Sequence, residues 1–163
     1  MKRSEELTRL YELQAHPEGG YFKEVYTAPF MYEASRESAG SIYFLLSEND
    51  ISHMHVIDCD EIWYYHEGCG MRITLIDQEG NITYEDLGMD INHNQKAMVV
   101  IPKGVMFVAE NLDKTSYTFV SCATTPQFQY QGFHLVAQDE VNIDITDISY
   151  LFMNKEDIAK TGL

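Results

Sequence analysis

At 163 residues the chain is long enough for one domain with a sizeable core, and its 45% hydrophobic and 12% aromatic content is globular rather than disordered. Asp and Glu number 26 against 11 Lys and Arg, a formal net charge of -15, which argues against a nucleic-acid or anionic-membrane partner because phosphates need a basic face. The three cysteines, Cys59, Cys69 and Cys122, form no Cys-x-x-Cys and are odd in number, so buried free thiols are expected rather than a disulfide framework or zinc knuckle.

The amino terminus lacks the apolar core of a signal peptide, and no apolar run is long enough to span a bilayer. A cytoplasmic protein is expected. Ser4 is placed to cap a short helix carrying Leu7, Leu10 and Tyr11 at helical spacing. His16-Pro17-Glu18-Gly19-Gly20 must stop that helix, and Tyr21 to Tyr26 then alternates as a strand with Phe22, Glu24 and Tyr26 on one face. Residues 27–40 read as a loop, and Ser41 to Leu46 as a strong strand.

The next stretch, Ser52 to Gly68, carries the chemistry. His53 and His55 at i and i+2 would project from one face of a strand. Glu61 follows a short polar loop, and the run Ile62 to Tyr65 reads as a second strand, so a hairpin would bring His53, His55 and Glu61 together. Two imidazoles and a carboxylate suit divalent iron, manganese, nickel or zinc better than calcium or magnesium. The plainer alternative is that these histidines are ordinary strand residues.

Met71 to Ile76 and Asn81 to Tyr84 flank Gln78-Glu79-Gly80 as a hairpin. Ala97 to Ile101 and Val105 to Ala109 are joined by the turn Pro102-Lys103-Gly104, and Tyr117 to Cys122 is a further strand. Short strands at this frequency indicate an all-β antiparallel sandwich or barrel. From about Gln138 the chain turns acidic and ends in a short helix capped by Asn154, which reads as a C-terminal appendage, 138–163, on a single domain with its core at about 7–137.

His53, His55, Glu61 and Gly68 follow the first cupin motif, Gly-x5-His-x-His-x3-4-Glu-x6-Gly, and Pro102, Gly104 and Asn111 follow the second. His16-Pro17-Glu18-Gly19-Gly20-Tyr21-Phe22, the Ile42 to Leu46 strand, Asp60-Glu61-Ile62-Trp63 and the Pro126 to Leu135 segment are similar to the cupin-5 branch of that superfamily, a group of uncharacterised function. The resemblance implies a double-stranded β-helix, a jelly-roll barrel, with short helical additions at each end. It also implies a homodimer. Two departures bear on a metal: five residues separate His55 from Glu61, and Phe107 stands where most metal-binding cupins carry a fourth ligand. The cupin-5 branch generally keeps the histidine matching His55 but not one matching His53.

On the barrel reading, Glu24 is a candidate acid or base if burial raises its pKa. Trp63 and Tyr65 share the face of Glu61 by strand parity and would line a pocket, Tyr65 with a hydroxyl for proton transfer. Arg36 is a candidate for an anionic ligand, with a surface salt bridge as the alternative. Phe107 would add an apolar wall. These residues suggest a barrel binding a small polar molecule in an aromatic-lined cavity, with metal-assisted isomerase, lyase or oxygenase chemistry if His53, His55 and Glu61 coordinate. The alternatives are a metal-free binding protein or sensor, and a metal-free sugar-epimerase-like enzyme with His55 as base and a tyrosine as acid.

Overall fold

A computed structural model describes residues 1–163. The chain runs α1 (Arg3–Leu10), β1 (Gln14–Ala15), β2 (Tyr21–Thr27), β3 (Met31–Glu33), β4 (Arg36–Glu37), β5 (Gly40–Ser47), β6 (Ile51–Ile57), β7 (Asp60–Gly68), β8 (Met71–Ile76), β9 (Ile82–Leu87), β10 (Met98–Ile101), β11 (Met106–Asn111), β12 (Tyr117–Thr125), β13 (Phe133–Leu135) and α2 (Lys155–Lys160). The strands form a six-stranded sheet ordered β1-β2-β5-β12-β7-β10 and a five-stranded sheet ordered β13-β6-β11-β8-β9, while β3 and β4 pair apart within what reads as a loop. Every strand pairing is antiparallel. This is an antiparallel jelly-roll sandwich.

Alternation along the strands explains why the sheets stack. Phe44, Leu46, Trp63, Val120 and Cys122 from one sheet meet Ile57, Ile73, Phe107 and Ala109 from the other in the central core. Each outer face is partly covered. Leu7 and Leu13 pack on Leu45 and Phe119, while Ile148, Leu151 and Phe152 lie on Met54, Ile76 and Val108. The C-terminal segment is therefore a covering layer, since its apolar residues close the outside of the five-stranded sheet. No helix is long and apolar enough to cross a membrane.

Two expected details change. α1 begins at Arg3 with Lys2 as its N-cap, so Ser4 lies inside the first turn. β6 and β7 do not form a hairpin: the corner at Asp58 and Cys59 carries the chain from the five-stranded sheet to the six-stranded one. His55 and Glu61 thus approach from opposite sheets.

Candidate functional site

One end of the sandwich encloses a cavity of about 50 Å³ between the sheets. Its ionisable lining is His16, Glu18, Glu24, His55, Glu61 and Cys122, and its aromatic lining is Phe22, Phe44, Trp63, Phe128 and Tyr130. Thr124 and Gln127 add polar groups.

The turn after α1 builds half of this site. His16 N–H donates to the Gly20 carbonyl at 2.9 Å and Gly19 N–H to the His16 carbonyl at 3.0 Å. Gly19, at φ 111°, lies so close to β6 that a Cβ would sit 1.9 Å from the Ile51 carbonyl oxygen, and only glycine permits that conformation and approach. With the turn pressed onto β6, the Glu18 carbonyl accepts from the His53 backbone N–H at 2.8 Å and its side chain enters the barrel.

A bulge in β6 selects which residues meet it. Phe107 pairs with His55 but Ala109 pairs with Ser52, so one extra residue separates His55 from Ser52, and the His-x-His parity is broken. Ser52, not His53, shares the inner face with His55. The Ser52 hydroxyl donates to Glu18 Oε1 at 2.8 Å, whereas His53 Nδ1 bonds the Glu18 backbone carbonyl at 2.7 Å.

His55 Nδ1 lies 2.7 Å from the His53 carbonyl oxygen. A carbonyl only accepts, so Nδ1 carries a hydrogen and Nε2 faces Glu18 Oε2 at 3.1 Å. Both side chains are almost fully buried, at 3% and 8% exposure. Burial pushes His55 down to about 4, and burial likewise raises Glu18. Burial thus disfavours separated charges on the two groups, and at 3.1 Å Oε2 and Nε2 are within reach to share a proton. His16 Nδ1 accepts the Glu18 N–H at 3.2 Å, which leaves its hydrogen on Nε2, and burial lowers its pKa too.

Glu61 approaches from β7. Burial, with the neighbouring Glu18 carboxyl acting in the same direction, raises it to about 8, so near neutral pH its protonated form predominates. The Trp63 indole N–H lies beside this carboxyl but closes no hydrogen bond, and Gln127 Oε1 is likewise buried and unpartnered. Two unmatched polar atoms in one lining are what a ligand with a matching acceptor and donor would satisfy. Cys122, also in the lining, is raised well above the usual thiol range by burial, and Cys59 is pushed up to about 12 for the same reason. Neither is an activated thiol.

The remaining sequence candidates fall elsewhere. Tyr65 is four residues beyond Glu61, about 13 Å along an extended strand, and its hydroxyl donates to the Gly68 carbonyl at 2.6 Å instead of entering the cavity. Arg36 is buried, with its guanidinium forked onto Asp58 at 2.7 and 2.9 Å and its Nε donating to the Gln127 carbonyl at 2.8 Å, so its donors are already engaged. It positions the Gln127 segment. Phe107 is fully buried with its ring 4.1 Å from that of His55, a backing for the imidazole rather than cavity lining. Glu24 lines the cavity as expected, but at the exposed rim, without the burial the acid–base reading required.

The structure does not bring His53, His55 and Glu61 together: the bulge turns His53 onto the Glu18 carbonyl, and no group of three or more His, Cys, Asp or Glu side chains gathers in metal-binding geometry. His16, Glu18 and Gln127 lie in stretches that carry the family resemblance, but that resemblance does not mark them as site residues. Their signal was present in the proline and paired glycines, which force a turn whose intervening carboxylate must point somewhere.

The Cupin_5 profile, described as Cupin superfamily (DUF985), matches residues 5–136. The chain belongs to this family. Among solved structures, the cupin resembles protein SO0799 from Shewanella oneidensis at 28% identity and TM-score 0.90, covering 95% of this chain and 100% of that one. A hypothetical protein from Leishmania major matches at 25% identity and TM-score 0.77, covering 85% and 89%. Oxalate decarboxylase from Bacillus subtilis matches at 19% identity and TM-score 0.59, covering 90% of this chain and 36% of that one, a likeness of fold. No match to this chain is found among curated proteins.

Proposed function

We propose that this cupin binds a small polar molecule and moves a proton on it by acid–base catalysis of the isomerase or epimerase type, with no metal in the step. The observation that carries the reading is the buried Glu18–His55 pair facing the same cavity as the protonated Glu61. Base and acid with pKa values driven apart by burial are the equipment of proton transfer at neutral pH.

The step balances as follows. The Glu18–His55 pair takes the proton from a carbon next to a carbonyl, and the C–H electron pair becomes a C=C bond. The carbonyl π pair moves to oxygen, which takes the Glu61 proton. An enediol results, with the pair cationic and Glu61 anionic. The C=C electron pair then takes the proton back from the pair at the neighbouring carbon, and the hydroxyl of the first carbon becomes the carbonyl and gives its proton to Glu61. For epimerisation a water proton adds to the opposite face of the first carbon, the pair loses its proton to solvent, and the original carbonyl oxygen returns its proton to Glu61. Trp63 N–H is placed beside Glu61 to stabilise the developing oxygen charge.

The test is deuterium incorporation, read by NMR, next to the carbonyl of a panel of hydroxy-carbonyl compounds and keto acids in heavy water. Incorporation that His55→Asn abolishes supports the reading; none with any compound contradicts it. The metal-assisted alternative has a precedent in the Mn(II) centres named for Bacillus subtilis oxalate decarboxylase, and iron, nickel or zinc would be equally compatible with imidazole ligands. It requires His53 to leave the Glu18 carbonyl. Stoichiometric metal in the purified protein, lost in both His53→Ala and His55→Ala, would favour it over the metal-free step. Residence in the cytoplasm and assembly as a homodimer belong to the same proposal, the latter checked by light scattering.

A further inference from the structure

We propose that the cavity selects a small uncharged hydroxy-carbonyl molecule and rejects carboxylates and phosphates. This rests on the proton-transfer reading and specifies its substrate.

The argument begins with charge. Three carboxyl groups, Glu18, Glu24 and Glu61, line the cavity, and no Lys or Arg does. The one buried cation near it, Arg36, is held by both oxygens of Asp58 and by the Gln127 carbonyl. An anionic ligand would therefore enter a low-dielectric site with no counter-charge to offset its lost hydration. Both lining histidines have one ring nitrogen already committed to the backbone, His55 Nδ1 to a carbonyl and His16 Nδ1 to an N–H. Burial disfavours the imidazolium form of each, so neither supplies the missing cation.

Unpartnered atoms then specify the uncharged ligand. Trp63 is 1% exposed, and its indole N–H has only the Glu61 carboxyl beside it and closes no full hydrogen bond within the protein. Gln127 Oε1 needs a donor; its amide sits against Gly40, where a Cβ would fall 1.5 Å from that oxygen. A carbonyl accepts from Trp63 and from protonated Glu61, and a hydroxyl on the neighbouring carbon donates to Gln127. A small ammonium would satisfy Gln127 but leave the Trp63 N–H unmatched.

The chain holds one tryptophan, so its indole N–H resonance reports this site alone. In titrations of the 15N-labelled full-length protein, dihydroxyacetone and glyceraldehyde are expected to shift that resonance. Glycolate, pyruvate and dihydroxyacetone phosphate should bind about a hundredfold more weakly or not at all, and ethanolamine more weakly than the uncharged probes. Anions shifting the resonance at equal or lower concentration, or uncharged probes leaving it unmoved, would overturn the inference. Deuterium exchange separates the two ideas: an uncharged probe that binds without exchange sinks the proton-transfer step alone, while exchange confined to pyruvate sinks the charge selection alone.

Discussion

The molecule contains the same acid–imidazole pair in two settings. His134 Nε2 meets Glu140 Oε1 at 2.6 Å on the surface, with the side chains 59% and 42% exposed, and His55 Nε2 meets Glu18 Oε2 at 3.1 Å inside, at 3% and 8%. Burial acts on Glu140 as well, in the raising direction, but bonds from the Ala137 N–H and His134 outweigh it and its pKa falls. Inside, burial wins: Glu18 rises and His55 falls. Distance would rank the surface pair the stronger. Solvent decides otherwise, because water stabilises separated charges at the surface and the barrel interior favours a neutral pair sharing a proton.

The sharpest way to break this contrast is to remove one member of the inner pair. Glu18→Gln or His55→Asn is expected to lower solvent exchange into a bound hydroxy-carbonyl by about a hundredfold or more, the scale of general acid–base catalysis. The corresponding changes at His134 and Glu140 should leave the rate unaltered. Equal losses at both sites would erase the distinction.

Titration sharpens it further. Glu61, raised from 4.5 to about 8, binds its proton more tightly folded than unfolded, so its stabilisation is present at low pH and is lost as pH rises through about 8. His55, lowered from 6.5 to about 4, acts oppositely: its contribution is present above 6.5 and is lost as pH falls towards 4. The two oppose one another in mild acid. Between the ordinary histidine value of 6.5 and about 8, Glu61 contributes a fall in stability of about 2 kcal/mol, in the same direction as the burial-raised Glu18. Denaturant unfolding of Glu61→Gln should show that decline flattened; an unchanged slope would remove Glu61 from the account.

Arg36→Met should cost about 1–2 kcal/mol, since Asp58 is half-exposed and the loss is mainly the buried bond to Gln127. It should weaken ligand binding by loosening Gln127 while leaving the titration of His55 in place. His53→Ala should cost about 1 kcal/mol, one bond to the Glu18 carbonyl, without altering metal content. Smallest of all, His134→Ala should change stability by about 0.5 kcal/mol or less.

Strand periodicity and turn chemistry made the sandwich legible from sequence, and they also brought His55, Glu61 and Trp63 to one cavity. They failed where a backbone irregularity changed the count. The β6 bulge exchanges His53 for Ser52 on the inner face, and nothing in Ser52-His53-Met54-His55 announces an extra residue. Tyr65 had suitable parity but lay too far along the strand, since parity fixes the face and not the position along it. The helix-breaking turn was evident at Pro17, Gly19 and Gly20; that it delivers Glu18 to His55 depends on a contact between residues far apart in sequence.

The state of the His55 imidazole tests the central claim most directly. With histidine ring nitrogens labelled with 15N, His55 should report a hydrogen on Nδ1 and a hydrogen-bonded, largely unprotonated Nε2 throughout neutral pH, becoming doubly protonated only near 4. Titration of His55 at the ordinary value of 6.5, or an Nε2 signal displaced by a bound metal ion, would contradict the shared-proton account.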